Sequence, residues 1–253
     1  MRVSKLKLSC SAIAWGKIND IPSFRRVAES VADAGYTGIG IEYNLLPDEL
    51  MKKPEMIKDI AMAAGLEVPS MAINENTVYQ AEAAHRMGAE SGWLCLFEKD
   101  AAGAAEVTRM HLREFGKRGL KVGLHPHVKS NVETNRQLDE LISACKPASL
   151  DVCFDSAHQE ALSMNLPAFI ERYKDRLCLV HLKDLKTRKA PKDIDYDNDF
   201  VDLGEGLCDF PAIMRALKKV NYGGWLMVEV DFAHTTTVEE SVKKNYEYLV
   251  PLM

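Results

Sequence analysis

The chain has 253 residues, 47% hydrophobic and 27% charged, with 32 Lys and Arg against 37 Asp and Glu for a formal net charge of −5. This is an ordinary globular composition, and it lacks the basic stripe interleaved with aromatics that a nucleic-acid partner would demand. No run approaches the roughly 18 apolar residues of a membrane helix, and Met1-Arg2-Val3-Ser4-Lys5-Leu6-Lys7 holds no signal-peptide core, so a cytoplasmic protein without membrane contacts is expected.

Six cysteines (Cys10, Cys95, Cys145, Cys153, Cys178 and Cys208) contain no Cys-x-x-Cys pair, which reads as reduced thiols and not as a structural zinc site. Roughly 250 residues is the usual size of an eight-stranded (β/α) barrel. Length alone leaves one barrel or two smaller domains.

Short β-rich runs alternate with helical patterns along the whole chain. Strands are predicted at Leu6 to Ala12, Gly38 to Glu42, Val68 to Ile73, Trp93 to Phe97, Lys121 to His125, Ser149 to Phe154, Leu177 to His181 and Gly224 to Val230. Helices Pro22 to Ala34, Pro54 to Ala64 and Thr77 to Met87 each stop at a glycine, and later helices start at polar caps near Thr134, Asn165 and Asp209. A last helix covers about Val238 to Val250, and His85 and His111 are assigned to helix surfaces. Six of the seven strand-to-strand intervals lie between 25 and 32 residues, and the last is 47. The pattern predicts one α/β domain over 1–253, a single (β/α)8 TIM barrel, with a doubly wound sheet as the weaker alternative. The surplus, Lys186 to Cys208, is too long for a plain connection and is expected as a loop over the active face.

In such a barrel the chemistry sits at the C-terminal ends of the strands. His125, His127, His158, His181 and His234 follow or end strands five to eight. Asp155 ends the sixth strand, His181 the seventh and Glu229 the eighth, and alternation aims Lys183 to the same side as His181. Mixed carboxylate and imidazole donors suit a divalent metal, Mn2+ or Co2+ first, with Mg2+, Fe2+ or Zn2+ also compatible. Each residue has a plainer reading: Asp155 as a helix cap, Glu229 and Lys183 as an ion pair. Together, polar groups converging at one mouth are costly unless they share a cation or protons. Trp15 after the first strand and Glu42 after the second are candidates for a substrate wall and a hydroxyl partner; Asn74 and Glu75 are weaker ones. Gly204-Glu205-Gly206 is a weak phosphate-loop signal, with Glu205 a substrate-binding candidate.

Several stretches carry a resemblance: Gly123-Leu124-His125-Pro126-His127 with Val132-Glu133-Thr134, Phe154-Asp155-Ser156-Ala157-His158, Val180-His181-Leu182-Lys183-Asp184, Gly204-Glu205-Gly206 and Tyr222 to Glu229. They resemble the xylose-isomerase-like barrel superfamily, above all its inosose dehydratase-like branch. The resemblance is specific from about residue 119 to 231 and includes the spacing of 26 residues between Asp155 and His181. It implies metal ligands at Asp155, His181 and Glu229. Where many members carry a strand-five glutamate, this chain has His125, so His125 or Glu133 would complete the shell. It also implies a divalent-metal-dependent sugar isomerase or epimerase acting on a keto-sugar or polyol-derived ketone through an enediolate. The alternative is a lyase that eliminates water from a keto-cyclitol or keto-sugar, with a non-catalytic sugar-binding barrel or an abasic-site endonuclease more remote. Glu229, Lys183, His127 and His158 are the candidate catalytic groups, with His158 and Lys183 also set to bind a small carbohydrate. A homo-oligomer is left open.

Overall fold

The computed structural model describes residues 6–74, 77–231 and 236–253. Glu75 and His234 lie outside the described residues. The elements in chain order are β1 (Lys7–Ser11), α1 (Ile21–Asp33), β2 (Gly38–Gly40), α2 (Asp48–Lys52), α3 (Pro54–Ala63), β3 (Ser70–Ile73), α4 (Thr77–Met87), β4 (Ser91–Leu94), α5 (Ala101–Gly116) and β5 (Lys121–Leu124). They continue through α6 (Asn135–Ala144), β6 (Asp151–Asp155), α7 (Ser156–Ala161), α8 (Leu166–Tyr173), β7 (Leu177–Leu182), β8 (Asp184–Leu185), β9 (Phe200–Val201), α9 (Phe210–Lys219), β10 (Trp225–Val228) and α10 (Val238–Leu249).

Eight strands pair in parallel in the order β2-β1-β10-β7-β6-β5-β4-β3. Parallel bridges Gly38 to Glu67 and Ile41 to Met71 join the two outer strands, so the sheet curls into a barrel. The caps expected from sequence are present: Thr134, Asn165 and Asp209 accept from Gln137, Ala168 and Ala212 N–H groups. No helix among the described residues is long and apolar enough to cross a membrane.

Alternation along each strand sorts its side chains into two shells. Outward residues such as Ile39, Ile41, Leu124, Val152, Phe154, Val180, Leu226 and Val228 pack under the helices in the main core. Inward, Trp93, Cys153, Leu179, Trp225 and Met227 make a separate apolar plug. Gly40 belongs to this plug for lack of space, because a Cβ there would meet Met227 Sδ at 2.1 Å.

Two readings need correction. The fourth strand begins at Ser91, two residues before Trp93, and ends at Leu94. Its start carries little β signal because Gly92 is demanded by packing: a Cβ would lie 2.5 Å from Ile73 and 2.9 Å from Phe115. His85 is exposed as expected, but His111 is buried at 1% exposure. It falls in the stripe Ala104, Thr108, His111 and Phe115 by which α5 packs inward, and an imidazole fits there neutral; burial lowers its pKa to about 4. As the sequence allowed, Asp155 caps a helix, α7, which follows β6 at once.

Candidate metal centre and active site

The next inward positions beyond the plug lie two residues further along the same strands: Glu42, Cys95, His125, Asp155, His181 and Glu229, with Lys183 and Asp231 one step above. Sheet register sets Asp155 level with His181, and His181 level with Met227. Asp155 and His181 are fully buried, His125 is 3% exposed and Glu229 6%.

Asp155 divides its two oxygens. Oδ1 accepts from His158 N at 2.8 Å and caps α7, while Oδ2 lies 3.1 Å from His125 Nε2 and 3.9 Å from His181 Nδ1. The capping role and the site role therefore coexist. His181 Nδ1 is also 3.0 Å from Glu229 Oε2. Lys183 Nζ lies 3.1 Å from Glu229 Oε1, contacts Asp231 Oδ2 and sits 4.0 Å above the Phe200 ring. The ion pair expected of Lys183 is thus present. Ser156 Oγ ties the start of α7 to the residue after β7, donating to Lys183 O at 2.5 Å and accepting from Lys183 N at 2.9 Å.

Charge is apportioned by this packing. Against burial, which alone would raise it, Lys183 and then His181 hold the Glu229 carboxyl well below the carboxylate range. Burial likewise opposes the low Asp155 pKa, which the His125 contact maintains. Burial, then the Glu229 and Asp231 charges, pushes Glu42 up to about 8. Burial raises Asp231 to about 6 despite Lys183. His127 is lowered to about 4 by burial and then His125, and His158 falls well below its ordinary value through burial and then His127. The two rings pack 3.7 Å apart at 31°. At neutral pH the mouth has the neutral imidazoles of His127 and His158 on one side and an ammonium among carboxyl groups on the other.

Two ligand-atom groups, each within 4.8 Å, share Asp155: one with His125 and His158, the other with His181 and Glu229. His181 Nε2 is buried without a hydrogen-bond partner, and His125 Nε2, Asp155 Oδ2 and His181 Nδ1 face carboxylate or imidazole atoms at 3.0–3.1 Å without a well-aligned hydrogen bond. An unsatisfied buried polar atom costs about 1–3 kcal/mol, and a shared cation removes that cost for several at once. The residues fit a borderline divalent ion bound through nitrogen and oxygen.

Among the fourth-ligand candidates, His125 enters this cluster and Glu133 does not. Glu133 Oε1 accepts from Lys129 N at 2.6 Å, in a turn where Lys129 has φ 65°. Trp15 also stands apart, donating to Glu239 Oε1 at 3.1 Å and lining a groove against Ser23 and Arg26 of α1. Glu205 is exposed and pairs with Lys244 of α10. The glycine loop has no free N–H groups for phosphate. Asp184 Oδ2 accepts from Gly204 N at 2.9 Å and Gly206 N at 2.8 Å, and Oδ1 accepts from Leu185 N at 2.9 Å and Cys208 N at 3.0 Å. The anion in this cradle is the protein's own.

The long segment after β7 covers the imidazole side. Antiparallel β8 and β9 anchor it, Phe200 stands 5.1 Å from the His158 ring and Tyr196 stands 5.6 Å from His127. Cys95, Asp231, Tyr196 and Phe200 were not singled out from sequence. Asp231 carried a usable signal, since it is two residues beyond Glu229 on the eighth strand.

Eight parallel strands with intervening helices and polar groups gathered at one mouth define a TIM barrel of the kind that supports enzymes. Residues 81–251 match the family described as xylose isomerase-like TIM barrel, and the chain belongs to that family. It is 30% identical over 131 residues to the inosose dehydratase of Bacillus licheniformis, a match covering 48% of this chain and 44% of the relative. The match thus spans less than half of the curated relative. Among solved structures, the D-allulose 3-epimerase of a Methylomonas species in complex with D-allulose superposes with TM-score 0.78 at 14% identity, covering 99% of this chain and 98% of that one. The IOLI protein with a binding zinc atom superposes with TM-score 0.78 at 17% identity, covering 98% of each chain. At such identities these two likenesses concern the fold.

Proposed function

We propose that the protein is a divalent-cation-dependent enzyme that removes the proton α to the carbonyl of a small keto-sugar or keto-cyclitol and eliminates water from it. The observation that carries this reading is the unlikeness of the two sides of the mouth: His127 and His158 on one, Lys183 with Glu229 and Asp231 on the other. Asp155, His181, Glu229 and His125 would hold the cation, which when bound polarises the substrate carbonyl and acidifies the adjacent C–H.

A neutral imidazole then takes the α proton, and the electron pair left on carbon forms the double bond. Lys183 delivers a proton to the departing β-hydroxyl, which leaves as water; Glu42 hydrogen-bonds a neighbouring hydroxyl. Unlike groups suit this asymmetric transfer, whereas epimerisation is served by two matched groups on opposite faces of the carbon. The similarity to an inosose dehydratase supports the same choice.

Isomerisation or epimerisation through the same enediolate is the second reading, favoured by the barrel's likeness to an epimerase solved with D-allulose. One incubation in D2O with a panel of inososes and ketoses separates them. Loss of water with a new enone absorbance is expected; solvent deuterium at the α carbon without loss of water would establish the second reading. No reaction with any carbonyl substrate contradicts both.

A further inference from the structure

The strand-five histidine has a neighbour that neither the sequence motifs nor the mechanism uses. Leu94 of β4 pairs with Leu124 of β5, and His125 N donates to Leu94 O at 2.9 Å. The residues that follow, Cys95 and His125, are therefore brought side by side at the mouth. Cys95 Sγ lies 3.1 Å from His125 Nδ1, and the opposite ring nitrogen, Nε2, lies 3.1 Å from Asp155 Oδ2. The ring is 3% exposed, and Nε2 and Oδ2 lack a well-aligned hydrogen bond.

Without a cation, and against burial, Cys95 and Asp155 together hold the His125 ring protonated; a ring that ligates a cation keeps one proton and can place it at only one end. On Nε2 it would point towards Asp155 and leave no lone pair there for a cation. On Nδ1 it is donated to the sulfur, and the Nε2 lone pair then faces the Asp155 oxygen. Without a cation the Nε2 proton faces Asp155 Oδ2 at 3.1 Å, and a cation held by both takes that proton's place. Cys95 is on the far side of the ring, so its sulfur is no ligand of that cation. It acts through His125.

We infer that Cys95 is a positioning residue: it accepts the Nδ1 hydrogen bond of His125, fixes the tautomer and so presents Nε2 to the cation. The inference rests on the cation reading given above. Partners of this outer kind typically change metal affinity by about 10–100-fold. Sulfur is a weak acceptor, so a better one at the same place preserves or strengthens the effect.

The test uses the full chain stripped of metal and titrated with Co2+, followed by visible absorption, for the native protein, Cys95→Ala and Cys95→Ser. Long-range 1H–15N spectra of the histidine rings, with His125 assigned by its absence in His125→Gln, report the tautomer directly. The expected result is a proton on Nδ1 of His125, Co2+ affinity at least about tenfold weaker in Cys95→Ala, and recovery in Cys95→Ser. Absence of a proton from Nδ1 of His125 in the native protein, or equal Co2+ affinity in Cys95→Ala, would overturn the inference while leaving the cation reading standing. Failure of the native protein to bind Co2+ would overturn the cation reading itself. The ring spectrum of the native protein decides the tautomer even if an alanine variant does not fold.

Discussion

Two layers of the barrel interior, one inward step apart on the same strands, do opposite work. Trp93, Cys153, Leu179 and Met227 form a dry plug; two residues further on, Cys95, Asp155, His181 and Glu229 form a mouth with unpartnered donors and acceptors. Asp155, His181 and Glu229 are buried like the plug and only Cys95 is half-buried, so exposure does not distinguish the layers. Satisfaction does: the plug exchanges water for packing, whereas the mouth holds polar atoms whose partners, on the proposed reading, are a cation and a substrate. The lower layer is rigid support for the upper one, and Trp93 packs edge-on at 5.1 Å from the His181 ring.

That contrast predicts separable consequences. Asp155→Ala should abolish cation retention and cut turnover by about 10³-fold or more, as loss of a central electrostatic group does. Metal analysis and steady-state kinetics check this, and normal turnover would erase the distinction between the layers. Trp93→Ala should instead lower stability by about 3–5 kcal/mol, read from denaturant midpoints, through the cavity it leaves. Gly206→Ala, whose Cβ would lie 2.4 Å from Asp184 Oδ1 and Leu185 O, should cost about 1–3 kcal/mol by overpacking the turn that Asp184 organises.

His111 gives a pH test in the helical shell. Its folded-state pKa, lowered by burial to about 4, lies below its ordinary 6.5, so as pH falls the unfolded chain takes the proton first. Its contribution to stability is therefore complete above about pH 6.5 and is lost progressively towards pH 4. The urea midpoint should fall less between pH 7 and 5 in His111→Leu than in the native protein. Glu133→Gln should have the smallest effect, within about 0.5 kcal/mol of native stability, with cation affinity unchanged.

The sequence carried the barrel well because each unit announces itself locally. Thr134, Asn165 and Asp209 cap where their side chains must, and the strand spacing is nearly regular. Asp155, His181, Lys183 and Glu229 were legible because a polar residue after an apolar run stands out. What escaped depends on contacts between strands distant in sequence. Cys95 reads as one more thiol in an apolar run until β4 and β5 set it against His125. Glu133 could reach the mouth by spacing, but its carboxylate satisfies the turn at Lys129. The glycines at 204 and 206 resemble an anion loop, and they are one, for Asp184.

Equilibrium dialysis of the metal-stripped protein against Mn2+, Co2+ and Zn2+, run beside Asp155→Ala, tests the central claim most directly. One equivalent of a divalent cation bound by the native chain and none by the variant is the predicted result. A native chain that binds no cation, or a variant that binds as well as the native one, would contradict the account of the mouth as a metal centre.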